Sequence, residues 1–155
     1  MTSDFLSKKE YILEWIKFVS GKRPELDGFP ICPYAAVAKY EIVECSAAEI
    51  EPIAGKDVVI YIIEDEFTLP EVQKWVDFYN EKHELWDFFE DCASYNTFIN
   101  GVQTNNGKYN LILGQPKEKL KKFREQLAKT TYYTHWDKEY LKEILGNDYD
   151  ELISG

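Results

Sequence analysis

The chain has 155 residues, of which 45% are hydrophobic and 15% aromatic, and its formal net charge is −10. This length and apolar content predict one folded domain with a substantial core, and exclude a disordered chain. The acidic balance argues against direct nucleic-acid binding, because phosphate contacts need clustered lysines and arginines. A protein partner or a small molecule is the expected kind of ligand.

The sequence also bears on cellular location. It contains no apolar run of about 18 residues that could span a bilayer, and it begins with no basic and apolar signal region. Its three cysteines, Cys32, Cys45 and Cys92, are odd in number and widely spaced, unlike a disulfide framework or a zinc cluster. We expect a cytoplasmic protein with reduced thiols and no membrane association.

The first half of the chain predicts one helix and two strands. A capping box at Ser7 and Glu10 opens a helix that Gly21 ends. Residues 40–45 alternate and predict a strand, after which Ser46 and Glu49 form a second capping box. The continuous apolar run between Asp57 and Glu64 is typical of a central strand that is covered on both faces.

The second half of the sequence predicts one helix, then a hairpin, then two further helices. Thr68 caps a long amphipathic helix that extends to about Cys92, and Asn106-Gly107 marks a hairpin between strands 98–104 and 108–113. Gly114-Gln115-Pro116 leads into a basic helix that ends near Lys129. Asp137 caps a last helix that stops at Gly146, and the tail from Asn147 is expected to fray.

These elements indicate an α+β fold in one domain over residues 1–155. We expect a sheet of about four strands that includes the Asn-Gly hairpin. The long helix from Thr68 and the basic helix from Pro116 are expected to pack against one face of this sheet, because both carry an apolar stripe.

The segment with the most distinctive chemistry is Cys32-Pro33-Tyr34-Ala35. Pro33 suits the first position of a helix, so Cys32 would be its N-cap, where free N–H groups and the helix dipole favour thiolate. Cys32 is therefore the candidate catalytic residue. The motif resembles the Cys-Pro-Tyr start of glutaredoxins, but a Pro-rich loop precedes it where that fold needs a strand. The alternative is a small buried cysteine that shapes the loop.

The order of features over residues 8–82 resembles an uncharacterised bacterial family, a domain of unknown function with a Cys-Pro-Phe-Ala motif. The matching residues are Cys32-Pro33-Tyr34-Ala35, the strand 58–63 and the segment Asp77-Phe78-Tyr79-Asn80. The family's later His-Pro and Asn-Arg-Ser-Pro-Tyr-Pro segments have no counterpart here. The resemblance implies no activity, since none is established for the family.

Histidines and aromatic residues provide the candidate binding residues. His135 lies among Tyr132, Tyr133 and Trp136, which could line a pocket for a flat or cationic ligand, or could simply cover one end of the sheet. Tyr34, beside Cys32, is a further candidate binding residue. His83 lies on the apolar stripe of the predicted long helix, where a core histidine is expected more often than a metal ligand. No metal site is predicted. The sequence has no Gly-rich phosphate loop that would indicate a nucleotide cofactor. The cofactor is therefore unknown.

Two functions are compatible with these features. The first is a non-catalytic binding or protein-interaction domain that uses the acidic surface or the aromatic pocket. The alternative is a thiol-dependent or small-molecule enzyme in which Cys32 reacts and Tyr34, His83 or His135 assists. No complete catalytic set is visible, so the first is the expected function and enzymatic activity stays open.

Overall fold

Helices and strands are interspersed along the chain in this computed structural model, which describes residues 3–26, 28–35, 37–99, 101–136, 138–145 and 149–154. The helices are α1 (Ser3–Ser20), α2 (Leu69–Lys82), α3 (Lys117–Ala128) and α4 (Lys138–Leu145). The strands are β1 (Tyr40–Cys45), β2 (Val58–Ile63), β3 (Trp86–Asp91), β4 (Phe98–Ile99), β5 (Val102–Gln103) and β6 (Leu111–Pro116). The predicted α+β class is confirmed.

Four strands form one mixed sheet in the order β1-β2-β6-β3. β1 runs parallel to β2, and β6 runs antiparallel to both β2 and β3. The predicted central position of β2 is confirmed, because β2 lies between two strands and all of its residues are buried. β4 and β5 form a separate two-stranded ladder.

The two faces of the sheet pack against different helices. Successive side chains of a strand point to opposite faces, so β2 supplies two apolar sets. Val59, Tyr61 and Ile63 belong to the cluster under α2, whereas Val58, Ile60 and Ile62 belong to the cluster under α1 and α3. The expectation that α2 and α3 share one face is therefore wrong, since each apolar face needs its own cover.

The predicted long helix is too long by ten residues, since α2 ends at Lys82 and the chain returns as β3. Asn80 fixes this reversal: its side-chain amide donates to the Phe88 carbonyl oxygen at 3.0 Å and accepts from the Phe88 N–H at 2.6 Å. Pairing of β3 with β6 then satisfies the backbone groups that a longer helix would have paired internally.

The hairpin prediction chose the wrong Asn-Gly pair. The short β4–β5 hairpin pairs Ile99 with Val102, and Gly101 between them has φ of +83°. Asn106-Gly107 instead lies in the loop between β5 and β6, and β6 extends to Pro116. Gly114 and Gln115 therefore belong to a strand, not to the start of a helix.

Helix capping is predicted more accurately. The Thr68–Glu71 and Ser46–Glu49 capping boxes are both present, although the second opens only a 3₁₀ turn at Ala47–Glu49. α1 ends at Ser20 as expected but begins at Ser3, before the predicted Ser7 cap. α3 and α4 occupy their predicted places, while Asp137 and Gly146 lie outside the described residues.

Two further segments differ from the expectations. Residues 33–35 and 37 form turns rather than a helix, although the Ala38 N–H donates to the Tyr34 carbonyl oxygen at 2.9 Å as in one helical turn. In the tail that was expected to fray, Tyr149 is instead buried against Leu141 and Leu145. None of the helices in the described ranges is both long and apolar enough to cross a membrane.

Candidate functional site

A cavity of about 340 Å³ lies on the face of the sheet that α1 and α3 cover. Residues 31–35 line it between these helices, and the aromatic segment 132–136 lines it beyond the end of α3. Its walls are mostly apolar. Of the predicted site residues, five have side chains at this cavity: Cys32, Tyr34, Tyr132, Tyr133 and Trp136.

Strands β3 and β6 supply much of the cavity floor. Phe89 pairs with Leu113 and Asp91 pairs with Leu111, and strand alternation turns these side chains toward α1 and α3. Glu90 points the other way, where its carboxylate accepts a hydrogen bond from the Gln73 side chain of α2 at 3.3 Å. Asp91 is thus the acidic side chain that the alternation of β3 directs to the cavity face.

Asp91 is held from one side by Asn106. The Asn106 backbone N–H and side-chain amide donate to Asp91 Oδ1 at 2.9 and 2.5 Å. Burial raises the pKa of Asp91 to about 6; the Asn106 hydrogen bonds oppose this shift, and the charge of Glu90 adds to it. Within the described chain, no hydrogen bond reaches Oδ2 and no basic side chain forms an ion pair with Asp91.

Gln115 marks the opposite end of the floor. It is 9% exposed, lines the cavity, and its side-chain amide makes no hydrogen bond within the part of the chain that the structure describes. Along β6 it lies four residues from Leu111, the partner of Asp91, which corresponds to roughly 13–14 Å of extended strand. The cavity therefore has an apolar floor with a polar side chain toward each end.

The α3 wall combines an aromatic contact and a cation. Tyr34 packs against Phe123 with ring centres 5.1 Å apart, and its hydroxyl donates to the Asp57 carbonyl oxygen at 3.4 Å. The Arg124 guanidinium lies 5.6 Å from the ring centre of Phe89. Because Arg124 lies over this ring, it covers part of the floor.

The aromatic segment closes a further side. Tyr132 donates its hydroxyl hydrogen to the Ile31 carbonyl oxygen and packs edge-on against Trp136 and Phe29. On the α1 side, Trp15 Nε1 donates to the Thr104 carbonyl oxygen at 3.1 Å. These hydrogen bonds use the polar tips of Tyr132 and Trp15, so their rings can serve as apolar walls.

Cys32 differs from the expected reactive thiolate. Its N–H donates to the Val19 carbonyl oxygen at 2.8 Å, which ties the loop to the end of α1. Burial raises the pKa of the Cys32 thiol, while the backbone N–H groups of Ala35 and Tyr34 and the charge of Arg124 act in the opposite direction. The backbone N–H groups thus stabilise the Cys32 thiolate in part, as expected at a helix start. The effect of burial on the pKa is larger, so the thiol form is favoured.

The structure describes the side chain of His83 but not that of His135. His83 lies on the α2 face, away from the cavity, where its ring stacks on Tyr79 and contacts Phe88. His83 Nε2 is buried without a hydrogen-bond partner among the described residues. Over the described ranges, no group of three or more His, Cys, Asp or Glu side chains could hold a metal ion.

The sequence analysis missed Asp91, Gln115, Phe89 and Arg124. Asp91 and Phe89 were assigned to a helix, and Gln115 to the start of another, so their common face was not visible. One available signal was the aromatic enrichment of Trp86-Asp87-Phe88-Phe89, which favours strand over helix. No comparable pattern distinguishes Gln115 or Arg124 from surface residues.

Comparisons of the chain with models of protein families, with curated protein sequences and with solved structures found no match in any of the three. The resemblance of residues 8–82 to an uncharacterised family stays a prediction.

Proposed function

We propose that the protein is a non-catalytic binding protein whose cavity takes up a small, largely apolar molecule. The observation that carries this proposal is the cavity of about 340 Å³ between the sheet, α1 and α3. Binding sites for small molecules are concave, mostly apolar and lined by a few polar groups, with volumes of about 300–1,000 Å³. This cavity falls at the small end of that range.

The packing of the rest of the protein supports the same function. Protein interiors are normally close-packed, and side chains that border a void lose van der Waals contacts. The α2 face of this sheet is filled by one continuous cluster that includes Val59, Tyr61 and Phe88. A ligand would provide the missing contacts on the α1 and α3 face, where side chains from several elements border open space.

The alternative of a thiol-dependent enzyme has weaker support. A nucleophilic cysteine reacts as thiolate, and burial raises the pKa of Cys32. His83, the histidine whose side chain the structure describes, lies on the opposite face of the sheet and so supplies no base to Cys32. We therefore assign Cys32 to the apolar wall of the binding site. A docking site for another protein is also less well supported, because the aromatic residues concerned line a concave cavity rather than a flat surface.

The test uses N-phenylnaphthylamine, a neutral dye whose fluorescence rises in apolar surroundings. We expect saturable binding to the wild-type protein with one site. Leu113 is partly buried on the cavity floor, so the L113W side chain would occupy the open space and reduce binding at least about tenfold. F78W is the matched control, since Phe78 is 49% exposed on α2 and an added indole there leaves the cavity unchanged.

Each variant is first checked for cooperative unfolding in urea. If L113W does not fold, L127W provides a second block from α3, because Leu127 also lines the cavity. Absence of saturable dye binding to the wild-type protein would overturn the proposal. Equal dye affinity in a folded blocking variant and in F78W would overturn it as well.

A further inference from the structure

We infer that the ligand of this cavity is an organic amine, whose ammonium group binds Oδ2 of Asp91 while its apolar body lies on Phe89 and Leu113. This inference rests on the proposed binding function and adds the chemical class of the ligand to it.

The first step is the position of Asp91. Alternation along β3 places Asp91 and Phe89 on the cavity face, and pairing with β6 places Leu111 and Leu113 beside them. Asp91 lies at the last position of β3, so its carboxylate borders the apolar floor at one end. A molecule lying on Phe89 and Leu113 would therefore present one of its ends to this carboxylate.

The second step is the hydrogen bonding of the carboxylate. Asn106 occupies Oδ1 with two donors and so fixes the orientation of the group. Over the described part of the chain, Oδ2 has no donor and Asp91, which is half-buried, has no basic partner. A carboxylate at the edge of an apolar cavity is stabilised when it is paired with a cation, and an ammonium group on the ligand would supply that pairing.

The third step is the second polar group of the cavity. Gln115 is nine-tenths buried and aimed into the same cavity, and its amide has no partner among the described residues. An amide that has no protein partner and is accessible from a cavity can donate and accept hydrogen bonds with a ligand there. Asp91 and Gln115 are thus two independent polar positions on one apolar floor.

Aromatic residues and Arg124 bear on the sign of the ligand charge. Phe89, Trp15 and Tyr132 line the cavity, and aromatic faces attract organic cations. Arg124 would favour an anion instead, but its guanidinium already lies over the Phe89 ring and makes a further interaction. Asp91 offers a free oxygen at the floor itself, so the amine is favoured over the acid.

The test compares three probes with one skeleton: phenylpropylamine, phenylpropanol and phenylpropanoic acid. Affinities are measured at neutral pH by displacement of N-phenylnaphthylamine and by calorimetry. We expect the amine to bind the wild-type protein at least about tenfold more tightly than the alcohol, because a charged hydrogen bond is stronger than a neutral one. The acid is expected to bind most weakly.

Asp91→Asn tests the residue, since it keeps the shape of the side chain and removes its charge. We expect the amine and the alcohol to bind D91N with equal affinity, with the affinity for the alcohol unchanged. Glu81→Gln is the control: it removes the same charge from an exposed side chain of α2, away from the cavity, and should keep the preference for the amine.

The outcomes separate this inference from the proposed function. Binding of the dye and the alcohol without preference for the amine, or tightest binding of the acid, would overturn the amine inference alone. A preference for the amine that persists in folded D91N would overturn it too. Failure of the dye and of all three probes to bind would overturn the binding function itself. The ranking of the probes on the wild-type protein remains decisive if D91N does not fold.

Discussion

Asn106 donates two hydrogen bonds to one carboxylate oxygen of Asp91, from its backbone N–H at 2.9 Å and from its side-chain amide at 2.5 Å. The Asn106 side-chain oxygen in turn accepts from the N–H groups of Lys108 and Tyr109, at 2.9 and 2.7 Å. One asparagine therefore shapes the loop before β6 and joins that loop to the end of β3, beside the proposed ligand site.

Replacement of Asn106 by alanine should lower the free energy of unfolding by about 2–3 kcal/mol, because hydrogen bonds to a carboxylate are among the stronger ones and Asn106 is 5% exposed. Urea unfolding followed by circular dichroism measures this change. Ser94→Ala is the control, since Ser94 is exposed and lies in the same part of the chain. Equal stability of N106A and S94A would contradict the prediction.

Asp91 should make stability depend on pH. Its pKa of about 6 in the folded protein lies above the unfolded value of about 3.9, so the folded state binds the proton more tightly. The resulting stabilisation is complete below about pH 4 and is lost as pH rises through 6, with a total of about 2–3 kcal/mol. D91N should lack this decline. Urea unfolding between pH 4 and 7 compares the two proteins, and an identical decline in D91N would exclude Asp91 as its source.

The cysteines should react slowly in the folded protein. Burial raises the pKa of Cys32, that of Cys45 to about 11 and that of Cys92 to about 12. Each unit of pKa above the ambient pH lowers the thiolate fraction tenfold, so we expect iodoacetamide to label every cysteine at least about tenfold more slowly than in the urea-unfolded chain. Peptide mapping after timed labelling measures the rates. Labelling of Cys32 ahead of Cys45 and Cys92 would instead favour the thiol-dependent enzyme.

Tyr79 should contribute to stability on the α2 face. Its hydroxyl donates to the Ala47 carbonyl oxygen at 2.6 Å and accepts from the Ile50 N–H at 3.3 Å, which joins α2 to the 3₁₀ turn at Ala47–Glu49. Tyr79→Phe leaves both backbone groups buried without this partner, at a cost of about 2–3 kcal/mol in unfolding free energy. Tyr95→Phe is the control, since Tyr95 is 53% exposed. A loss in Y79F no larger than in Y95F would show that water replaces the hydroxyl.

Local chemistry made part of the candidate site predictable. The aromatic residues Tyr132, Tyr133 and Trp136 indicated either a pocket wall or a cover for the end of the sheet, because large amphipathic rings in a connecting segment need a partner surface. Tyr34 and Cys32 were identified from their motif, and both line the same cavity. Their shared location was not predictable, since the residues lie about a hundred positions apart in the chain.

The floor of the site was not predictable, for a different reason. Residues 83–91 contain no glycine or proline, so nothing local ends the helix that Thr68 begins. The Asn80 hydrogen bonds to Phe88 and the pairing of β3 with β6 decide the outcome, and the pairing depends on a strand far along the chain. Asp91 therefore lies on one face of an edge strand, not on the predicted outer face of a helix.

Taken by itself, the sequence determined the α+β class, the central strand at Val58–Ile63 and the capping of α2, because apolar periodicity and capping boxes act over a few residues. Only the tertiary structure decided which face each helix covers and where the α1 and α3 face stays open. It also decided that Asp91 and Gln115 border the same cavity. Strand pairing sets these relations, and it depends on contacts between residues far apart in the chain.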